Sequence, residues 1–207
     1  MDDVLRLYER PYNPKKPVVC LDEKSKQLLE HAREPQPMKP GKPMRIDSEY
    51  IRKGTANIFV MVEPKAGKRY TVVRTRRTAM DFAIAVDTLV GHYPDADMIH
   101  VVLDNLNTHC EKSLVNAFGE EKTKRIMNRL KFHYTPKHGS WLNMAEIEIA
   151  VMDTECLGRG RRIPDKGTLE REVTAWQNRR NSQCARINWR FTRKKAREKF
   201  QLSTRHN

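Results

Sequence analysis

Apolar residues along this chain fall into two patterns, short continuous runs and helically spaced positions, and their order suggests a fold. Val18-Val19-Cys20-Leu21 is an unbroken apolar run between turn-forming segments; it reads as a buried strand that ends on two acids, Asp22 and Glu23. Residues 31–46, rich in proline and basic side chains, read as a loop or extended excursion. Ile58–Val62 and Tyr70–Val73 are β-rich and separated by Pro64 and Gly67, the pattern of an antiparallel hairpin. Thr78 and Asp81 form a capping box ahead of Phe82, Val86, Leu89 and Val90, which recur at helical spacing until Gly91 and Pro94.

A second buried-strand run, Ile99 to Leu103, again ends on an aspartate, Asp104. Leu114, Phe118, Ile126 and Leu130 mark helical material interrupted at Gly119, and Phe132-His133-Tyr134 is a short strand closed by Pro136. A helix is expected from Ser140, with Leu142, Ala145, Ile149 and Met152 on one side. Two more follow, one through Leu169, Val173 and Trp176 and one capped at Thr192. The order strand, hairpin, helix, strand, helix, strand, helix predicts an α/β domain with a mixed sheet and helices packed on its faces.

The acids are where this pattern meets chemistry. Asp22 follows four apolar residues, and Asp104 closes a five-residue run in which all but His100 are apolar. Taken singly, either reads first as a strand terminator in solvent. If the two strands are parallel neighbours, however, both carboxylates converge at one sheet edge, where open α/β sheets bind ligands. Magnesium, which takes hard oxygen ligands, suits such a pair. On the helix from Ser140, Asn143 and Glu146 share a face, with Glu146 at the border of the buried side; Glu148 is expected to face solvent. Glu146 is therefore the preferred third ligand, although its position alone also fits an ordinary surface glutamate.

Composition bears on the partner. The 207 residues are 38% hydrophobic and 32% charged, with 40 Lys and Arg against 26 Asp and Glu, a formal net charge of +14. No apolar run approaches the ~18–20 residues of a membrane span and MDDVLRLYER has no signal-peptide core, so no membrane partner is expected. Cys20, Cys110, Cys156 and Cys184 lie far apart without a CxxC, which argues against a disulfide framework or a zinc ribbon and for a reducing, cytoplasmic setting. Residues 158–207 hold fifteen Lys and Arg and four Asp and Glu, a net +11, leaving +3 for residues 1–157. The division expected is a core over 1–157 and a basic helical extension over 158–207 packed on it. A polyanion is the partner such a tail suggests, with a plain solvated surface as the alternative.

Two long stretches carry a family resemblance. Val102-Leu103-Asp104-Asn105-Leu106-Asn107-Thr108-His109, followed by His133-Tyr134-Thr135-Pro136-Lys137-His138-Gly139-Ser140-Trp141-Leu142-Asn143-Met144-Ala145-Glu146, resembles the DDE-superfamily transposases. It is most similar to the bacterial insertion-sequence branch called the IS six-thirty family, relatives of the mariner elements. Val19-Cys20-Leu21-Asp22-Glu23-Lys24 resembles that family's first-acid strand and Gly54-Thr55-Ala56-Asn57 its second strand.

The resemblance implies a ribonuclease H-like core, with a mixed five-stranded sheet and helices on both faces. It implies that Asp22, Asp104 and Glu146 are the catalytic acids, holding two divalent ions, Mg²⁺ or Mn²⁺, and that no other cofactor is bound. The activity implied is metal-dependent cleavage of DNA phosphodiester bonds and joining of 3′-hydroxyl ends to target DNA. Two alternatives remain: a ribonuclease H-like nuclease without strand transfer, and a degenerate, non-catalytic DNA-binding remnant. The partners implied are double-stranded DNA, as element ends and target, and a second copy in a homodimer, with a nucleoid-associated location. Forty-one residues separate Asp104 from Glu146, wider than the compact mariner pattern; the extra length fits in the helical stretch 111–130. Complete relatives carry helix-turn-helix modules ahead of the first-acid strand. No such modules are expected here, as in a truncated element or the downstream product of a frameshifted pair, and an upstream helix-turn-helix polypeptide is then a candidate partner.

Several further residues are candidate DNA contacts. Asn105, Asn107 and His109 follow the second acid, where loop-capping is the alternative role. Lys137 and His138 approach the third-acid helix, a place suited to phosphate. In the tail, Arg193, Lys194, Lys195 and Arg197, with Arg159 and other arginines upstream, lie near Trp176, Trp189 and Phe191. Basic residues beside aromatics suit phosphate contacts and stacking, while the aromatics themselves sit at core spacing.

Overall fold

Side chains of the central strands alternate between two buried faces, and that alternation dictates a sheet covered on both sides. The computed structural model describes residues 1–158 and 160–200, so Arg159 and the end of the expected extension, 201–207, lie outside the described residues. Its elements are α1 (Asp2–Glu9), β1 (Val18–His31), β2 (Tyr50–Glu63), β3 (Lys68–Arg74), α2 (Ala79–Gly91), β4 (Ile99–Leu103), α3 (Glu111–Met127), β5 (Leu130–Tyr134), α4 (Ala145–Met152), α5 (Lys166–Ser182) and α6 (Arg193–Phe200). The five strands lie in the order β3-β2-β1-β4-β5. β1 pairs antiparallel with β2 and parallel with β4, β2 antiparallel with β3, and β4 parallel with β5. This is the mixed five-stranded α/β sheet expected.

On one face Val19, Leu21, Phe59, Met61, Val101 and Leu103 pack against Phe82, Ala85, Val86 and Leu89 of α2 and Leu114 and Ile126 of α3. The opposite face holds two clusters. Ile58, Val60 and Val73 meet Leu169, Val173 and Trp176 of α5, and Cys20, Val62 and Val102 meet α1 together with Leu142, Met144 and Ala145. The capping box at Thr78 is formed in full: Asp81 N donates to the Thr78 hydroxyl, and the Asp81 carboxylate accepts from Thr78 N. Gly119 takes φ 78° inside α3, the left-handed backbone a glycine tolerates, and kinks the helix there.

Four expectations need correction. Residues 2–9 form a helix with Val4, Leu5, Leu7 and Tyr8 buried, where none was expected. β1 does not end at Asp22 but runs on to His31, paired with β2 through a register slip at Leu28/Leu29, so that the proline-rich stretch lies beyond the end of a long two-stranded ribbon. Leu130 opens β5 rather than closing a helix. The helix from Ser140 is broken: Ser140–Leu142 is a single 3₁₀ turn, α4 starts at Ala145, and a wide π turn follows over Asp153–Leu157. No helix among the described residues is long and apolar enough to cross a membrane.

α1 is tied to the sheet through two buried histidines. Asp3 accepts from His133 Nδ1 at 2.6 Å, and His133 Nε2 lies 2.9 Å from His100 Nδ1. Burial, followed by the charges of His133, Arg10, Lys131 and Lys16, lowers the His100 pKa to about 4. An unfolded histidine titrates near 6.5. As pH falls from about 6.5 to 4 the unfolded chain therefore takes up a proton that folded His100 refuses, and stability is lost across that window, by on the order of 3 kcal/mol. Thermal unfolding followed from pH 7 to 4 should show the wild type losing ground against His100→Gln; parallel curves would contradict the lowered pKa of His100.

Candidate active site

The sheet brings the first two acids together by register. β1 and β4 pair in parallel only from Val18 opposite His100 to Cys20 opposite Val102. Carried two residues further, the same register sets Asp22 level with Asp104. β4 has ended at Leu103 by then, and beyond Cys20 β1 pairs with β2 alone. Both carboxylates thus stand just past the end of the shared ladder instead of within it.

α4 supplies the third acid. Its first turn lies over the Cys20, Val62 and Val102 face through Leu142, Met144 and Ala145. Glu146, half-buried, comes close enough to act electrostatically on Asp22. Glu148 behaves contrary to expectation: it is fully buried and pairs with Arg69 Nε of β3 at 2.8 Å and Arg180 Nε of α5 at 3.3 Å. The turn count assumed one unbroken helix from Ser140. With the helix starting at Ala145, its inward side is set by Arg69, itself 0% exposed.

Electrostatics single out Asp22. Burial is the main influence, and the charges of Glu23, Asp104 and Glu146 add to it; a hydrogen bond from Glu23 N opposes them, and the pKa stands at about 7. His109 is the cation of the group. It is 1% exposed, stacked on Phe82 with ring centroids 4.6 Å apart, its Nε2 3.3 Å from Glu23 and its Nδ1 in close contact with Asp104. Burial alone would lower its pKa, but hydrogen bonds to Asp104 and Glu23 outweigh that and raise it to about 9.

The expected DNA contacts divide accordingly. His109 faces inward onto two acids, which leaves no surface for a nucleic acid; it braces the site instead. Asn105, Lys137 and His138 are exposed, but the 3₁₀ turn, Asn143 and Met144 intervene before α4, so Lys137 and His138 do not lie at its N-terminus. Lys194, Lys195 and Arg197 are exposed on α6, whereas Arg193 is held by Glu9 of α1 through its Nε and its backbone N–H, each at 2.8 Å. Trp141 is 41% exposed and meets the Phe191 ring edge-on. Arg76 and Arg77, exposed in the β3–α2 loop, are absent from the expected contacts, yet Arg77 lies 3.9 Å from Glu23. Their signal was present as a run of arginines before a helix cap, but nothing in the sequence links that loop to Glu23.

The donor set fits a divalent cation by its chemistry: carboxylate oxygens at one sheet edge, with burial and mutual repulsion acting on Asp22. The side chains are not drawn into a closed cage. Among the described residues no three His, Cys, Asp or Glu side chains cluster tightly enough to enclose one ion.

Comparison with known proteins bears on family and fold. Residues 17–170 match the family described as DDE superfamily endonuclease, and the chain belongs to that family. The crystal structure of the Mos1 strand transfer complex is similar at a TM-score of 0.54 with 14% sequence identity, over 88% of this chain and 57% of that one, and the fold is the ribonuclease H-like one. This chain thus spans little more than half of the Mos1 chain. The catalytic core domain of BIV integrase aligns at 18% identity over 59% of this chain and 91% of that one, with a TM-score of 0.28, too low to bear on the fold. A search of the curated proteins gives no match.

The Glu148 pair is open to a direct stability test. A solvent-facing glutamate would tolerate alanine within about 0.5 kcal/mol. Buried between Arg69 and Arg180, Glu148→Ala should cost about 3–5 kcal/mol in urea unfolding, because it strands Arg69 without its partner, while the double replacement Arg69→Met/Glu148→Leu should recover most of that loss. A neutral Glu148→Ala would contradict the burial.

Proposed function

We propose that this DDE superfamily endonuclease domain is the catalytic domain of a DNA transposase of the mariner-like IS six-thirty branch, cutting DNA phosphodiester bonds and joining the freed 3′-hydroxyl ends to target DNA. The observation that carries the reading is that the charges of Asp104 and Glu146 both act on half-buried Asp22, just past the end of the β1–β4 ladder. Family membership supports phosphodiester cleavage, and the fold likeness to the Mos1 complex supports strand transfer as its outcome.

Asp22, Asp104 and Glu146 would hold two divalent ions, magnesium or manganese, which when bound supply an activated water and charge neutralisation at the reacting phosphate. The chain's own residues prepare that place. His109 orients the Asp104 carboxylate and keeps Glu23 turned aside from it. Arg77, beside Glu23, and the exposed Arg76, Asn105, Lys137 and His138 would offer donors to backbone phosphates. Lys194, Lys195 and Arg197, with Arg193, form a basic patch on the extension 158–207 that holds the duplex during the reaction. Double-stranded DNA is the partner in both roles, as element end and as target; a second copy of the chain and an upstream helix-turn-helix polypeptide complete the assembly in this reading.

The test uses DNA bearing a pre-cleaved 3′-hydroxyl end, a target duplex, and Mg²⁺ or Mn²⁺. Joined products are expected, reduced at least ~100-fold in Asp104→Ala and abolished by EDTA. Hydrolysed DNA without joined products would point to a nuclease, and activity that survives either Asp104→Ala or EDTA would overturn the reading. For the tail, changing Lys194, Lys195 and Arg197 to alanine leaves the Arg193–Glu9 pair intact. It should weaken DNA binding and reduce the slope of log affinity against log salt by about 2 to 3. An unchanged slope would make that face merely solvated.

A further inference from the structure

We infer that Asn143 is a positioning residue that sets the separation between the two acids on β1 and α4, by bridging the main chain of one to the helix start of the other. The inference rests on the proposed metal-binding role of Asp22 and Glu146. Asn143 is 0% exposed. Its Nδ2 donates to the Leu21 carbonyl at 2.8 Å, one residue before Asp22, and its Oδ1 accepts from Ala145 N at 3.2 Å, one residue before Glu146. Its own carbonyl accepts from Glu146 N at 3.1 Å. One side chain therefore joins the residues adjacent to both acids.

The location explains why a side chain is needed. The parallel ladder between β1 and β4 stops at Cys20, so no further ladder pairing with β4 holds β1 at Leu21 or Asp22. α4 opens directly after an irregular turn, and the first-turn amides of a helix need outside acceptors. Asn143 meets both needs at once, because a carboxamide offers a donor and an acceptor on one planar group. An aspartate at this position would lack the donor, and a leucine would leave the Leu21 carbonyl and the Ala145 amide buried without partners. The turn is backed from its other side by Tyr8 of α1, whose hydroxyl donates to the Leu142 carbonyl at 2.7 Å. With both neighbours fixed, the first turn of α4 has little freedom to shift Glu146 relative to Asp22.

The experiment measures Mn²⁺ binding to the full chain, by the loss of the free-ion electron paramagnetic resonance signal, together with thermal unfolding of each protein. Wild type should bind Mn²⁺ in a manner that Asp104→Ala abolishes. Asn143→Ala should bind at least ~10-fold more weakly, the scale expected of residues that orient metal ligands. Asn143→Ser keeps an acceptor for Ala145 but is too short to reach Leu21, so it should show the same weakening, and it carries the test if alanine costs the fold. The control is Gln177→Ala. Gln177 Oε1 accepts from Thr71 N and its hydroxyl at 2.7 and 2.8 Å, joining α5 to β3, which β2 separates from β1. It should lower the melting temperature and leave Mn²⁺ affinity within twofold of wild type. Folded Asn143 variants with wild-type affinity would overturn the inference, as would a Gln177 control that loses affinity in step with its melting temperature. Wild-type protein without Asp104-dependent Mn²⁺ binding would instead overturn the metal reading on which the inference stands.

Discussion

Repulsion among Asp22, Glu23, Asp104 and Glu146 is the constraint around which this structure is arranged. Four carboxylates share the end of a sheet, and burial raises the cost of ionising the one at their centre. A chain left to itself would turn such groups toward water. Here each is held by an element that cannot easily move: Asp22 by a strand paired with β2 on one side, Asp104 by the close of β4, and Glu146 by a helix anchored at Asn143 and Glu148. His109, buried between Glu23 and Asp104, offsets part of the charge and separates the two carboxylates that do not share a role.

Those anchors draw on the whole fold. Arg69 comes from the edge strand β3 and Arg180 from α5, so the Glu148 cluster ties the third-acid helix to the far side of the sheet and to the basic extension. A buried ion pair of this kind contributes little net stability because desolvation cancels most of the attraction. Its effect is on specificity of arrangement: only one rotation of α4 brings Glu148 onto Arg69, and that rotation leaves Glu146 on the side of the acids. α1 contributes similarly from below, through Tyr8 on the Leu142 carbonyl, Asp3 on His133, and Glu9 on Arg193 of α6.

What was legible in the sequence follows the range of the interactions concerned. The buried strand at Val19, Cys20 and Leu21, signalled by an unbroken apolar run, and the capping box at Thr78 and Asp81 depend on neighbours in the chain and appear in the structure as read. Asp22 and Asp104 were visible because each closes an apolar run. Glu148 was misread because its environment is decided by Arg69, an arginine distant in sequence, and by a helix start that the Ser140 spacing placed five residues too early. His109 reads from its loop position as a candidate DNA contact because its partner Glu23, on β1, is distant in sequence. α1 escaped notice because eight residues with no side-chain cap give too short a period to stand out, and the ribbon beyond Asp22 because its polar residues do not alternate with apolar ones.

In this reading Asp22, Asp104 and Glu146 form one cation-binding site. The most direct measurement is anomalous diffraction from crystals grown with Mn²⁺. An anomalous peak is expected bonded to carboxylate oxygens of both Asp22 and Asp104, with Glu146 in or next to the coordination sphere and His109 still turned onto Asp104. Manganese bound elsewhere on the chain with that sheet edge empty, or coordinated without Asp22 and Asp104, would contradict it.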